Sequence, residues 1–243
     1  FRVRGGMLDD RSDSSRSDKQ KLSDTDDFFA EFAYLIDNVA PVDKVIILLE
    51  QNANKVMLTY HWDGFDYTTL HYVAEKGDEA VLKYLIEDMG VSPDIKTDSS
   101  AATALQYAVF ESQLGVAQYL IDKGVDVDAR DSQQSTMLHY AVVGGHMEAI
   151  EYMVQNGYLG MVYETDEKGF NILHMAVVHN DASYVDKLIQ LLQQAHVDVA
   201  RMLRQEIQLA GKSDTPIDLA EQRYRVCDHG LVRSLSDLCN TSS

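Results

Sequence analysis

The feature that most constrains this chain is a short apolar segment that occurs five times along the sequence. In each copy a threonine or asparagine stands two residues before a central leucine or isoleucine. The central residues, separated by 35, 33, 35 and 44 positions, are Leu70, Leu105, Leu138, Leu173 and Ile217. A catalytic motif needs to occur only once, whereas a structural unit that stacks on its own copies recurs at a fixed period. The spacing therefore predicts a repeat architecture.

The residues between the copies repeat as well. Residues 98–130 show one whole unit, with a polar turn, a first helix from Thr103, a second helix and a closing glycine in that order. Gly90, Gly124 and Gly157 stand where each second helix should end, and glycine best adopts the left-handed conformation of such a cap. Paired apolar residues near the end of each second helix predict its buried face. Each unit is therefore expected to be a helix–turn–helix pair.

With a period near 33 residues and a core similar to Thr-Pro-Leu-His-x-Ala, the chain resembles an ankyrin-repeat protein over about residues 60–240. The resemblance implies an all-α ankyrin-repeat solenoid of stacked helix–turn–helix units. We place these units at about residues 63–97, 98–130, 131–165, 166–210 and 211–243, and expect the last to be a capping repeat within the repeat region 61–243. Only the last copy keeps the proline of this core, Pro216, and its loss elsewhere should weaken each unit modestly.

The flanking segments depart from the repeated pattern. Residues 27–60 contain two short helical patterns joined at Pro41, which we interpret as an N-terminal helical capping unit, since a stack must close its exposed end. Residues 1–26 are rich in Ser, Asp and Arg and poor in apolar groups, so they predict a disordered tail. The insert around residues 190–212 predicts an extended second helix or an added one, and the sequence does not indicate its role.

The charge of the chain bears on its partners. Its formal net charge is −18, and residues 98–165 contain nine acidic and only two basic residues. Phosphate backbones are bound by Lys and Arg, so we expect no nucleic-acid partner. The acidic surface serves either solubility or the recognition of a basic partner, and the sequence leaves both open. No run of 18 apolar residues is present, so we expect no membrane partner.

Location and assembly are predicted from weaker features. Two cysteines, Cys227 and Cys239, are too few for a disulfide-built fold. No apolar signal segment is found at the start of the sequence. We therefore expect reduced thiols, a cytoplasmic location and a monomer.

Several segments imitate catalytic motifs and are rejected on chemical grounds. His71, His139 and His174 occupy one slot of successive units, and helices of neighbouring units pack roughly 8–10 Å apart. Zinc ligands must lie about 2 Å from one metal, so no metal is expected there. The resemblance instead implies that these histidines bond backbone between units. Gly211-Lys212-Ser213 copies the end of a phosphate-binding loop, but Glu206 stands where that motif requires glycine. We predict no catalytic residue, no cofactor and no enzyme.

The remaining candidate for function is the surface. In the ankyrin family, partners usually dock on the concave side, formed by the turns before each first helix and by the exposed face of that helix. Carried over by position, the predicted partner-binding residues are Phe65, Asp66, Tyr67, Glu75, Phe110, Glu111, Gln133, Ser135, Phe170 and His179, with Trp62, Lys76, Ser99, Ser100, Ala102, Val143 and Lys168 beside them. Aromatic anchors with a charged rim are typical of an interface hot spot. The alternative is that some of the aromatic side chains fold inward onto neighbouring turns.

These observations predict a non-catalytic protein–protein interaction module with a concave acidic and aromatic surface. The expected partner is a protein with a basic or apolar segment. The alternative is a targeting fragment of a larger protein, for example a secreted bacterial effector acting in the host cytosol, whose catalytic domain lies outside this chain. Fold alone does not decide between these functions.

Overall fold

The computed structural model describes residues 24–62, 64–205, 207–209, 212–224, 235–237 and 239; for residues 24–26, 65, 207–209, 212–214 and 221–224 it describes the backbone alone. Twelve named helices occupy most of these ranges. They are α1 (Asp24–Asp37), α2 (Val42–Gln51), α3 (Thr69–Lys76), α4 (Glu79–Glu87), α5 (Ala104–Phe110), α6 (Leu114–Asp122), α7 (Met137–Gly144), α8 (Met147–Gln155), α9 (Ile172–His179), α10 (Ala182–Gln194), α11 (Val199–Leu203) and α12 (Pro216–Tyr224).

The helices form two rows, as stacked helix pairs require. The first row contains α1, α3, α5, α7, α9 and α12, each packed on the next. The second row contains α2, α4, α6, α8 and α10, in which α2 packs on α4, α4 on α6 and α8 on α10. The predicted all-α fold of stacked helix–turn–helix units is confirmed.

The first helices begin where the sequence supplies a cap. Thr68, Thr103, Thr136 and Asn171 are the N-cap residues of α3, α5, α7 and α9. In each helix the third residue, a histidine or glutamine, bonds back to the N-cap backbone, which completes a capping box. The threonine of the repeated segment therefore fixes where each first helix starts.

Glycines end the second helices as predicted. Gly90, Gly124 and Gly157 have φ angles of 69°, 81° and 79°. This left-handed conformation costs an ordinary L-residue about 1–2 kcal/mol. The predicted glycine caps are therefore confirmed.

Two short hairpins interrupt the helices. Strand β1 (Tyr60–Trp62) pairs antiparallel with β2 (Phe65–Tyr67), and places Tyr60 opposite Tyr67. In the insert of the fourth unit, β3 (Ile207–Leu209) pairs antiparallel with β4 (Lys212–Asp214). The insert thus contains a 13-residue second helix, α10, the added helix α11 and a hairpin that the sequence did not predict.

The core follows the first row from end to end. Buried apolar residues run from Phe28 in α1 to Leu203 in α11 and Ala220 in α12. At the N-terminal end Phe29 stacks on Tyr60 at 4.5 Å between ring centroids and meets Tyr72 edge-on at 5.5 Å. The segment before the first unit therefore closes this end of the stack with aromatic rings.

Some predictions fall outside the described part of the chain. They are the disordered tail at residues 1–23 and the predicted reduced state of Cys227. The prediction of a tail up to residue 26 is wrong for residues 24–26, because α1 begins at Asp24. Cys239 is a free cysteine. The division into domains stays a prediction.

Candidate partner-binding site

In the first three units, the third residue of the first helix is a polar side chain that bonds to the next unit. We call this position the slot. The Nδ1 atom of His71 accepts from the Thr68 amide at 3.3 Å, and its Nε2 lies 2.9 Å from the Ala102 carbonyl. His139 repeats the arrangement, with Nε2 3.0 Å from the Phe170 carbonyl. Gln106 reproduces it without a titratable group, because its Nε2 donates to the Ser135 carbonyl at 3.1 Å. The predicted structural role, a bond to the backbone of the next unit, is confirmed for His71, Gln106 and His139, whereas the buried Nε2 of His174 has no hydrogen-bond partner among the described residues.

Burial keeps these histidines neutral. It lowers the pKa of His71 to about 4, against the opposing effect of the Ala102 and Ile95 carbonyls. Burial likewise lowers the pKa of His139, and lowers that of His174 to about 4. In His71 and His139 a neutral ring that accepts at Nδ1 and donates from Nε2 matches both hydrogen-bond partners. The histidines of the repeat are structural.

A cavity of about 410 Å³ opens among the first three units, between the turns and first helices that the family resemblance assigns to the concave side. Its walls come from the β1–β2 hairpin, the turns at residues 99–100 and 131–133, and the inner faces of α3, α5 and α7. We call it the concave cavity. Its lining residues are His61, Gly64, Asp66, Tyr67, Glu75, Ser99, Ser100, Tyr107, Phe110, Glu111, Asp131, Ser132, Gln133 and Tyr140.

A row of tyrosines lines the concave cavity. The rings of Tyr67 and Tyr107 lie 5.1 Å apart, and those of Tyr107 and Tyr140 lie 6.5 Å apart. Their hydroxyls are engaged, because Tyr67 donates to Glu75, Tyr107 to the Asp66 carbonyl at 2.8 Å, and Tyr140 to Asp131 at 3.0 Å. Burial first, and then neighbouring carboxylates, raise the pKa of Tyr107 and of Tyr140. These tyrosines therefore stay protonated near neutral pH.

Four carboxylates line the same space and differ in how they are held. Asp131 is buried and accepts from the Gln133 and Ser135 amides at 2.9 and 2.7 Å, as well as from Tyr140. Glu75 is 5% exposed, and its carboxylate lies 3.4 Å from the Lys76 ammonium. Asp66 lies 2.9 Å from His61. Glu111 is half-buried, and within the described part of the chain its side chain has no bonded partner.

The structure brings six of the ten predicted residues together in this cavity. They are Asp66, Tyr67, Glu75, Phe110, Glu111 and Gln133. Ser99 and Ser100, predicted beside them, also line it. His179 ends α9, in the unit that follows the three units of the cavity, and is not among the lining residues. The side chain of Phe65 lies outside the described residues.

Three of the predicted residues are buried rather than presented to solvent. Tyr67, Ser135 and Phe170 are 2%, 2% and 8% exposed, and Ala102 at the same position of the second unit is buried too. Each directly precedes an N-cap, and the carbonyls of Ala102, Ser135 and Phe170 accept the bond from the preceding unit's slot. This hydrogen bond places the residue in the interface between the two units. The prediction that Ser135 and Phe170 face a partner is therefore wrong, and the inward alternative holds for Phe170.

Two further corrections concern the inner face of the first helices. Glu75, predicted at the exposed rim, is buried because the Tyr67 hydroxyl and Lys76 satisfy its carboxylate. Val143, at the same position of the third unit, is also buried. Trp62 is half-buried, with its ring 5.9 Å from that of Phe29. Tyr67 and Glu75 still line the cavity, but as buried side chains of its wall rather than as exposed contact residues.

Sequence reasoning missed Tyr107, Tyr140 and Asp131 as lining residues. A usable signal was present, because Tyr72, Tyr107 and Tyr140 each directly follow the histidine or glutamine of the slot. Side chains of adjacent helical residues point about 100° apart. When the slot residue faces the next unit, the tyrosine that follows it therefore lies on another face of the helix.

The described residues contain no group of three or more His, Cys, Asp or Glu side chains placed to hold a metal ion. None of the described helices is long and apolar enough to span a bilayer. The chain matches the family model described as "Ankyrin repeats (3 copies)" at residues 36–131 and again at residues 127–209. Together the two matches cover well over half of the 243 residues.

Proposed function

Because the chain belongs to the ankyrin-repeat family, whose members are generally non-catalytic protein–protein interaction modules, we propose that its concave side binds a protein partner. The partner carries a basic or apolar segment that enters the concave cavity. A cytoplasmic location belongs to the same proposal. The hypothesis that the repeats target a catalytic domain outside this chain stays a prediction.

One observation carries the proposal. Predicted surface positions from three successive units converge on a single cavity of about 410 Å³. A cavity of this size is within the range of about 300–1,000 Å³ found for binding pockets. Its lining combines aromatic rings with carboxylates, the composition of an anchor pocket with a charged rim. A solubility role for the acidic surface would not require that the charges converge with aromatic rings.

The electrostatics favour a basic partner. Asp66, Glu75, Glu111 and Asp131 line the cavity, whereas no lysine or arginine is found among its described lining residues. Lys76, next to the lining residue Glu75, lies 3.4 Å from the Glu75 carboxylate and 3.6 Å from that of Asp37. Walls of low polarity concentrate the field of such a cluster and attract opposite charge.

Affinity capture with a matched pair of variants tests this proposal. The cavity variant combines Phe110→Ala with Glu111→Lys. The control combines Ile47→Ala with Glu151→Lys, which makes the same types of change on α2 and α8 of the second row. Ile47 is 52% exposed and Glu151 is exposed, so both changes should leave the fold intact. Circular dichroism and a melting curve of each variant check this first.

Quantitative mass spectrometry then compares the proteins captured by the wild type and by both variants. We expect a set of partners that the wild type and the control retain and that the cavity variant loses. If the cavity variant retains every partner of the wild type, the concave cavity is not the binding site. Loss of the same partners by the control alone would place the site on the second row.

A further inference from the structure

We infer that the concave cavity is a receptor for a single arginine side chain of the partner, an assignment that rests on the proposed function and makes it specific. Three features support it: aromatic walls, carboxylates that are unequally satisfied, and a cavity of about 410 Å³ that contains both. Together they determine the charge, the hydrogen-bonding groups and the shape that a bound side chain must have.

The charge of the lining excludes two classes of occupant. An anionic group would meet four carboxylates, those of Asp66, Glu75, Glu111 and Asp131. A wholly apolar group would remove water from those carboxylates and offer no bond in return, which is unfavourable for a charged group. A cation satisfies the carboxylates and keeps them paired as water leaves.

The carboxylates are not equally available to that cation. Asp131 already accepts two amides and the Tyr140 hydroxyl, so it supplies charge rather than a bond. Asp66 lies beside His61, and Glu75 lies beside Lys76 and accepts from the Tyr67 hydroxyl. Glu111 is half-buried, lines the same cavity and has no bonded partner within the described chain. Glu111 is therefore the primary acceptor, and Asp66 and Glu75 are the other carboxylates beside it.

The aromatic walls favour a planar cation. Phe110 is half-buried and belongs to the lining together with Tyr107 and Tyr140, whose hydroxyls are already bonded to protein acceptors. Their donor hydrogens are therefore already used, and their rings and phenolic oxygens remain as groups that attract a cation. A guanidinium group stacks on aromatic rings and presents five N–H donors in one plane, whereas an ammonium group has three donors on a compact, strongly hydrated centre. Several separate carboxylate acceptors beside aromatic rings therefore favour an arginine side chain over a lysine side chain.

The probe is a capped seven-residue peptide, Gly-Ala-Ala-Arg-Ala-Ala-Gly, titrated into the ¹⁵N-labelled full chain and followed by NMR. Matched peptides carry citrulline, which keeps the shape without the charge, or lysine at the central position. We expect saturable shifts at the amides of Ser100, Glu111 and Gln133, with a dissociation constant near 1 mM, equivalent to about −4 kcal/mol. The citrulline and lysine peptides should bind at least tenfold more weakly, roughly a 1.4 kcal/mol difference.

Two conservative variants complete the test. Glu111→Gln keeps the side-chain shape and should weaken the arginine peptide at least tenfold, whereas Glu151→Gln on the second row should leave its affinity unchanged. Equal binding of the citrulline or the lysine peptide, or shifts confined to other residues, would overturn the assignment. Absence of arginine binding together with continued loss of partners by the Phe110→Ala/Glu111→Lys variant would refute the arginine receptor and leave the partner-binding surface in place.

Discussion

The slot filled by His71, Gln106, His139 and His174 shows how a single side chain can join two units. Each of the first three bonds its own N-cap on one side and a carbonyl of the next unit on the other. Histidine makes these bonds only in its neutral form, which can both accept and donate. Gln106 makes the same bonds at any pH. The repeat therefore contains its own comparison between a titratable and a non-titratable residue.

The substitution His71→Gln should remove part of the pH dependence of stability. In the folded chain burial lowers the pKa of His71 to about 4, whereas the unfolded chain has the ordinary value of 6.5. Between these values the unfolded state binds more protons, so stability falls as the pH decreases from 6.5 towards 4. On urea unfolding between pH 7 and pH 5, we expect the variant to lose about 2 kcal/mol less stability than the wild type.

A second substitution at the same position supplies the control. His71→Ala removes both bonds: the Thr68 amide loses its acceptor, and the Ala102 carbonyl keeps the Thr97 amide as its remaining partner. The variant should therefore cost about 1–3 kcal/mol at pH 7. His71→Gln should stay within about 1 kcal/mol of the wild type at that pH. Identical pH profiles for the wild type and His71→Gln would contradict a buried neutral histidine.

The candidate site could be predicted at this scale only in part. Position within the repeat correctly placed Asp66, Phe110, Glu111 and Gln133 on the cavity, because those positions follow from the register of the first helices. It placed Ser135 and Phe170 wrongly, because a polar serine and a phenylalanine in a turn look exposed when each is considered alone. Their shared position before the N-cap decides their burial. The bond that buries them comes from the preceding unit, 29 to 31 residues earlier.

At the scale of the elements, the packing of α5 on α7 depends on one glycine. A Cβ atom added to Gly144, the last residue of α7, would lie 1.9 Å from the Phe110 carbonyl oxygen and 2.9 Å from its carbonyl carbon. Both atoms are backbone and cannot move aside as a flexible side chain can. The close approach also fixes the end of α5, where Phe110 enters the concave cavity.

Gly144→Ala should therefore destabilise the chain, by about 1–3 kcal/mol or more, because overpacking forces the two helices apart. The matched control is Gly115→Ala in α6, where the nearest atom to the added Cβ is a Glu79 carboxylate oxygen at 3.5 Å. That contact is ordinary, and replacing a helical glycine with alanine stabilises by about 0.5–1 kcal/mol. Urea unfolding of both variants measures the difference. Equal stability of Gly144→Ala and the wild type would contradict the close packing.

Recurring tyrosines link the second helices in the same unit-to-unit manner. Tyr84 donates to Glu50, Tyr119 to Glu87 and Tyr152 to Gln118, each partner lying 32 to 34 residues earlier. The period predicted the helices from α3 to α9 because each has copies for comparison. It did not predict the β3–β4 hairpin, since that insert occurs once and has no second copy to reveal its pattern.

At the scale of the whole molecule, the net charge of −18 and the concave cavity have different consequences for binding. Charges act at a distance and are screened beyond about 8 Å at physiological salt. Aromatic contacts act only after the complex has formed. The acidic surface should therefore control how fast a basic partner arrives, and Phe110 with its neighbours should control how long it stays.

Binding kinetics across a salt series check this division with a partner identified by affinity capture. Raising the salt concentration should slow association much more than it speeds dissociation. Phe110→Ala should instead raise the dissociation rate, at a cost of about 2 kcal/mol if the residue is a hot spot. The control Ile47→Ala on α2 should change neither rate. An association rate independent of salt would contradict electrostatic attraction of the partner.

Hydrogen exchange of the chain alone and in complex with that partner tests most directly the claim that the concave cavity is the binding surface. The amides in the turns at residues 98–101 and 131–135 lie at the cavity and should exchange more slowly in the complex. Peptides from the second helices α4, α6 and α8 should be unchanged. Protection confined to those helices, or to the insert around residues 190–212, would contradict the account and place the partner elsewhere on the stack.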